Sequence, residues 1–319
     1  MSLKSGISVV VPVYRSERTL RELVNRISTS IASEHFEIIL VDDASGDGTW
    51  EEISKISTSI DHVKGIRFGR NSGQQSALLA GVRLARFSLI ITIDDDLQNP
   101  PEEIPKLLVA LTDDLDVVCG ISTNVQQNIY RRLGSKFSRG MISSLLGFSN
   151  LTSMSSFRAF RTELRNGFDS QLGPNVSLDA LLTWSTSRFG QTTVIHDARA
   201  DGTSNYSVRK LIRFMIDIVT SYSALPLHLA SIIGFATVIF GLFLMSYILA
   251  GPLVFGIVVP GFALLATSIT LFAGVQIMAL GIIGEYIGKI HFQVMNKPTY
   301  VITEIIGTNT ITDIESQNS

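Results

Sequence analysis

The chain predicts an α/β domain on a mostly parallel sheet, followed by amphipathic helices and a two-helix transmembrane hairpin. Three observations carry this. Over the first ~120 residues, short β-branched runs alternate with amphipathic segments in the manner of βαβ units. Three adjacent carboxylates, Asp94-Asp95-Asp96, follow the apolar run Ser88–Ile93, at the strand end where ligands bind in open α/β sheets. From Phe214 to Gly288 there is no Lys or Arg.

Strands are predicted at Ile7–Val13, Phe36–Val41, Val63–Arg67, Leu89–Ile93 and Asp116–Gly120. Helices are predicted between them at Glu17–Ala32, Thr49–Thr58, Gln75–Phe87 and Glu102–Leu111. Right-handed crossovers then make the sheet parallel. Asn99-Pro100-Pro101-Glu102-Glu103 puts Pro and Glu where a helix N-terminus favours them. A helix start needs one carboxylate, however, not three. The single cysteine, Cys119, excludes an internal disulfide framework, fits a reducing compartment and lies in a core strand.

Residues 128–146 form a helical pattern carrying Arg131, Arg132, Lys136 and Arg139, either an interfacial helix or a solvated charged face. Residues 207–222, with Arg209, Lys210 and Arg213, run straight into the apolar region and read as an interfacial helix facing anionic head groups. Residues 224–250 and 261–283 are each long enough to cross a bilayer core, which needs about 20 apolar residues. The uncharged linker 251–261, with two Pro-Gly signals, makes them a hairpin. Cations flank the pair on the outside only, so the positive-inside rule places both termini in the cytoplasm of a multi-pass inner (plasma) membrane protein. The N-terminal run Ile7–Val13 is too short and wrongly flanked for a signal peptide. The domain plan is therefore a catalytic domain over 1–206, the juxtamembrane helix over 207–222, the hairpin over 223–288 and a polar cytosolic tail over 289–319.

A formal net charge of −2 gives no basic field for nucleic acid. Crowded carboxylates repel one another and resist desolvation, so a divalent cation neutralises them, and oxygen ligands suit Mg²⁺ or Mn²⁺. Three strand ends converge: Pro12–Glu17, Asp42–Thr49 and the triple aspartate. Carboxylates there suit the N–H of a nucleobase and ribose hydroxyls, while the metal takes a diphosphate. Asp47-Gly48-Thr49 reads as a turn and helix cap. No G-x-G-x-x-G or G-x-x-x-x-G-K-[ST] occurs, so glycine-cradled dinucleotides and P-loop nucleotides lose support.

The segments Val11–Tyr14, Val41–Ser45, Arg70–Gln74 and Asp94–Pro101 resemble glycosyltransferase family 2. The likeness is to its polyprenyl-phosphate branch, which includes dolichol-phosphate mannose synthase and the bacterial undecaprenyl-phosphate glucosyl and formamido-arabinosyl transferases. It continues through Arg199–Tyr206 and Gly284–Lys289, and so spans nearly the whole chain. The resemblance implies a GT-A fold, with Asp94, Asp96 and Gln98 around the metal and diphosphate and Asp95 beside them as a catalytic carboxylate. It implies a nucleotide pocket of Pro12, Tyr14, Glu17, Asp42, Asp43, Arg70 and Gln74. It implies an acceptor-phosphate site of Arg131, Arg132, Lys136, Arg158, Arg199, Ser204, Tyr206 and Lys210; Arg158 and Arg199 are equally open to structural ion pairing.

Two departures stand out. Relatives often read Asn-Glu after the Tyr, where this chain has Arg15-Ser16, which loosens the assignment of Glu17. Many also carry an Asp, proposed as catalytic base, in the segment matching Ser153–Arg158, where this chain offers only Ser and Thr in its place. Asp179 is the alternative, as base or sugar-binding group, or else simply a helix residue facing solvent. The function implied is inverting transfer of one sugar from a nucleotide-diphosphate donor, a UDP-sugar, to undecaprenyl phosphate, by a membrane-bound homo-oligomer, bacterial relatives being tetramers, serving cell-envelope glycans such as lipopolysaccharide. A processive polysaccharide synthase would carry Gln-x-x-Arg-Trp, and neither Trp50 nor Trp184 has that context. A membrane carrier would place stronger polar groups in its spans than Ser231, Thr237, Ser246, Thr267, Ser268 and Gln276.

Overall fold

Period-2 alternation in the apolar runs builds the centre of the molecule. Val9, Val11, Ile38 and Leu40 point to one face of the sheet, and Val10, Ile39 and Val41 to the other, all fully buried. A sheet covered on both faces needs such near-continuous β-branched strands. The structure, a computed structural model, describes residues 4–31, 33, 35–122, 155–168, 177–196, 225–255, 261–294 and 298–307.

Its strands are β1 (Lys4–Val13), β2 (Phe36–Asp42), β3 (Val63–Phe68), β4 (Phe87–Thr92), β5 (Val117–Ser122), β6 (Arg158–Arg161), β7 (Phe189–Val194) and β8 (Ile302–Ile306). Among the described residues they form one sheet in the order β7-β5-β6-β4-β1-β2-β3-β8. The pairs β1–β2, β1–β4, β2–β3 and β5–β7 are parallel, and β4–β6, β5–β6 and β3–β8 antiparallel. The five strands expected from the sequence are present within one to three residues at each end. The sheet is mixed, however: β6 is wedged between β4 and β5, and β8 closes the far edge from a segment expected to be a tail.

Helices α1 (Leu20–Ser30), α2 (Thr49–Ser59) and α4 (Ile104–Ala110) cover one face. Helices α3 (Gln74–Leu84) and α5 (Leu178–Ser185) cover the other. Helix α3 lies so close to β1 that a Cβ on Gly81 would sit 2.3 Å from a Val10 methyl, so only glycine fits there.

A second unit holds α6 (Leu225–Phe255) and α7 (Gly261–Val294). Ile232, Phe235, Phe243, Ile277, Leu280 and Ile287 on these helices are all exposed. Among the described residues, Leu271–Gly288 in α7 is the one stretch long and apolar enough to cross a membrane, and α6 carries the shorter apolar stretch Leu227–Phe243. Both expected spans are thus helical, but one meets the length criterion. The helices expected at 128–146 and 207–222 lie outside the described residues.

Candidate active site

Parallel pairing brings the ends of β1, β2, β3 and β4 to one edge of the sheet, where the antiparallel strands β6 and β8 begin. Three loops at this edge each hold one non-glycine residue in left-handed backbone: Arg15 at φ 56°, Ala44 at 55° and Leu97 at 57°. These are the only such residues among those described. Each costs on the order of 1–2 kcal/mol, and strain collected at one edge marks a functional site.

Asp94 and Asp96 leave β4 first. Asp94 Oδ1 accepts from Gln74 Nε2 at 2.7 Å, and its Oδ2 accepts from Ser156 Oγ at 2.5 Å. Burial raises the Asp94 carboxyl above its ordinary value, and the charge of Asp96 adds to this against the Ser156 bond. Asp96 Oδ1 accepts from the Gln98 backbone amide at 3.2 Å, and Gln98 is half-buried. Among the described residues no three His, Cys, Asp or Glu converge as a closed metal site. Two carboxylates are nevertheless the donor set Mg²⁺ uses when phosphates and waters complete its shell. The pair fits a cation shared with a diphosphate.

The other carboxylates serve the backbone. Asp95 Oδ2 accepts from the Tyr14 amide at 3.0 Å and from Ser16 Oγ, so Asp95, expected among the catalytic carboxylates, is turned onto the β1 loop. Asp43 accepts from the Ser72 and Gly73 amides at 2.6 and 2.8 Å and sets the turn that carries Arg70. Asp42 is fully buried and accepts from the Ser45 amide at 3.0 Å, beneath the pocket surface rather than on it. Burial raises all three.

Of the remaining residues assigned to a nucleotide, Pro12 is buried within β1 and Gln74 is engaged with Asp94. Tyr14 stands 45% exposed, with the Arg15 guanidinium 5.2 Å from its ring centroid. Glu17 and Arg70 are exposed at the same edge, and the Glu17 carboxyl packs so tightly on Gly48 that a Cβ there would lie 2.6 Å from it.

Arg158, expected at the acceptor phosphate, is 1% exposed in β6. Its Nη1 pairs with Asp179 and its Nε lies 3.4 Å from Thr92 Oγ1, which is the structural alternative of the two roles left open. Asp179, in the first turn of α5, is held by this guanidinium rather than facing solvent freely. Arg131, Arg132, Lys136, Arg199, Ser204, Tyr206 and Lys210 lie outside the described residues. Sequence reasoning missed Ser16, Ser45, Thr49 and Ser156, whose hydroxyls tie the loops together. The first three lie inside the strand-end segments, and Ser156 lies in the segment Ser153–Arg158, just before β6.

Comparison with known proteins gives the family and the fold. The model of the family described as Glycosyl transferase family 2 matches residues 8–168. An undecaprenyl-phosphate 4-deoxy-4-formamido-L-arabinose transferase of Yersinia pestis (strain Pestoides F) is 34% identical over 307 residues, covering 94% of each chain. Its namesake from Proteus mirabilis (strain HI4320) is 34% identical over 306 residues, again 94% of each. Glucosyl-3-phosphoglycerate synthase from Mycobacterium tuberculosis, in complex with phosphoglyceric acid, superposes with TM-score 0.51 at 18% identity, over 69% of this chain and 80% of that one. The same enzyme in complex with Mn²⁺ and UDP-glucose gives TM-score 0.50 at 18% identity, over 68% and 77%. These two share the fold of the sheet domain, which is GT-A-like. The chain belongs to glycosyl transferase family 2 and is a glycosyltransferase.

Proposed function

We propose that the protein moves one sugar from a UDP-sugar to undecaprenyl phosphate at the cytoplasmic face of the inner membrane, in the service of cell-envelope glycans. The observation that carries this reading is the 94% coverage of the undecaprenyl-phosphate transferases, which extends past the sheet domain and includes the apolar helices. Exposed apolar side chains on α6 and α7 support a lipid surroundings, with the two helices as a hairpin whose ends return to the cytoplasm.

In the reaction an acceptor phosphate oxygen forms a bond to C1 as the bond from C1 to the diphosphate oxygen breaks. The electron pair leaves with the nucleoside diphosphate, and the anomeric centre inverts. Tyr14, Glu17 and Arg70 line the nucleotide pocket, and Asp43 fixes the turn that presents Arg70. Asp94, Asp96 and Gln98 would hold Mg²⁺ or Mn²⁺, which when bound neutralises the departing diphosphate. The acceptor needs cations more than it needs a base, because a phosphate monoester with a second pKa near ~6 is already largely dianionic at neutral pH. An Asp179 tied to Arg158 accords with this: it serves as a sugar-binding group rather than as the base. Arg131, Arg132, Lys136, Arg199 and Lys210, with Ser204 and Tyr206, guide the lipid phosphate.

The test is incubation of membranes with a panel of radiolabelled nucleotide sugars, with and without undecaprenyl phosphate and Mg²⁺. Label should enter lipid only when one donor, the acceptor and the metal are all present. Asp96→Asn should lower the rate by about 10²–10³-fold with membrane insertion intact. Full turnover by that variant refutes the metal role, and absence of transfer from every donor refutes the function.

A further inference from the structure

The loop after β1 carries Tyr14 into the site, yet its backbone has left the sheet and has not entered α1, so its amides need other partners. Three successive N–H groups find them on two neighbouring segments. Tyr14 N donates to Asp95 Oδ2 at 3.0 Å, from the β4 loop. Arg15 N donates to Ser45 Oγ at 2.9 Å, from the β2 loop. Ser16 N donates to Thr49 Oγ1 at 3.1 Å, at the start of α2, where the Thr49 hydroxyl gives its own proton to Asp47 at 2.6 Å. Asp95 holds on twice more: Ser16 Oγ donates to the same Oδ2, and Thr19 Oγ1 donates to the Asp95 carbonyl at 2.9 Å. Together these bonds keep Arg15 at φ 56°, a conformation that a free loop would leave.

We propose that Asp95 is a positioning residue: it clamps the β1 loop, and so ties the nucleotide pocket at Tyr14 to the neighbouring Asp94 and Asp96 that face the diphosphate. The middle carboxylate of the triplet thus acts through the loop and not on the leaving group. The inference rests on the donor reading above for what the loop binds, but its bonding pattern stands apart from it. The two roles respond differently to one change. Asp95→Asn removes the charge and keeps an oxygen that accepts from Tyr14 N and Ser16 Oγ; Asp95→Ala removes both.

The experiment uses the full-length protein in detergent, with hydrogen exchange of peptides spanning 12–20 in EDTA and titration with UDP, GDP, CDP and ADP both in EDTA and with Mg²⁺. Asp95→Ala should speed exchange of the Tyr14–Ser16 amides and weaken nucleotide binding, each by about ten-fold, while Asp95→Asn stays within about two-fold of wild type in both. Ser16→Ala, which deletes one bond of the clamp, should fall between them, and it carries the test if Asp95→Ala fails to fold. Unchanged exchange in Asp95→Ala, or in Ser16→Ala where that variant stands in, overturns the clamp. Asp95→Asn as damaging as Asp95→Ala also overturns it, and returns Asp95 to a charge-dependent role. Wild type that binds none of the four nucleotides overturns the donor reading and the coupling drawn from it, whatever the exchange shows.

Discussion

At the edge where β2 and β3 begin, Glu37 is 1% exposed and every contact it makes is a donor. Its Oε1 accepts from Ser8 Oγ and from the Arg86 amide, both at 2.8 Å, and its Oε2 accepts from Lys64 Nζ at 2.8 Å and Arg86 Nε at 3.1 Å. Burial alone would raise this carboxyl, but the Lys64 charge and these bonds outweigh it and hold the group below its ordinary 4.5. At the opposite edge, where β1, β2 and β4 end, Asp42, Asp43, Asp94 and Asp95 are all raised, burial being the largest cause for each. Asp94 does lie near Arg158, yet that guanidinium is committed to Asp179. At one edge cations of the fold itself answer the carboxylate, and the cluster serves the fold. The other keeps surplus negative charge among the described residues, as the proposed cation and diphosphate site requires.

Removing one charge from each edge should therefore move stability in opposite directions. Glu37→Gln takes the buried carboxylate charge away from Lys64, whose side chain is 8% exposed, and should cost about 3–5 kcal/mol, read as a lower denaturant midpoint, with transfer per folded molecule retained. Because the folded value of Glu37 is lowered, its contribution is fully present above 4.5 and is lost as pH falls through that lowered value. The gap between wild type and variant should close in acid, and a gap of constant size would break the comparison. Asp94→Asn should do the reverse: it abolishes transfer but stabilises the metal-free protein by about 1 kcal/mol, because a buried like charge disappears. The Ser156 hydroxyl can turn to accept from the new amide, so no bond need be lost there. With its folded value raised, wild-type Asp94 erodes stability as pH rises from 3.8 through that value, and the variant should lack this slope.

How much of this was legible follows from which interactions are local. Strands β1 to β5 and helices α1 to α4 showed through because periodicity and turn residues are written within each segment. Strand β6 hid because it is four residues long and has a cation at each end; Arg158, read as an acceptor-phosphate or ion-pair residue, is buried against Asp179. Strand β8 hid because its partner is β3, more than 230 residues earlier; nothing near Ile302–Ile306 announces that Thr303 will bond Arg67 O or that Glu304 will accept from Trp50 Nε1. The place of the acid triplet at a strand end was legible in the sequence. Its division of labour was not, since Asp95 is defined by Tyr14 and Ser16, residues that reach it only through the pairing of β1 with β4.

The smallest effect tests whether geometry or burial governs the comparison. Arg26 and Glu102 form a two-point pair as well aligned as any contact of Glu37: Nε to Oε1 at 2.9 Å and Nη2 to Oε2 at 2.8 Å. The Arg26 bond is the main cause holding the Glu102 carboxyl below its ordinary value. Yet the Glu102 side chain is 54% exposed, so water screens the pair and both ends are solvated in its absence. Glu102→Gln should therefore cost less than about 1 kcal/mol in a denaturant titration, and that cost should vanish near ~1 M salt, where charges are screened within about 3 Å. A loss as large as that of Glu37→Gln, or one indifferent to salt, would mean that bond geometry rather than removal from water sets the worth of a carboxylate here, and the contrast between the two edges would lose its physical basis.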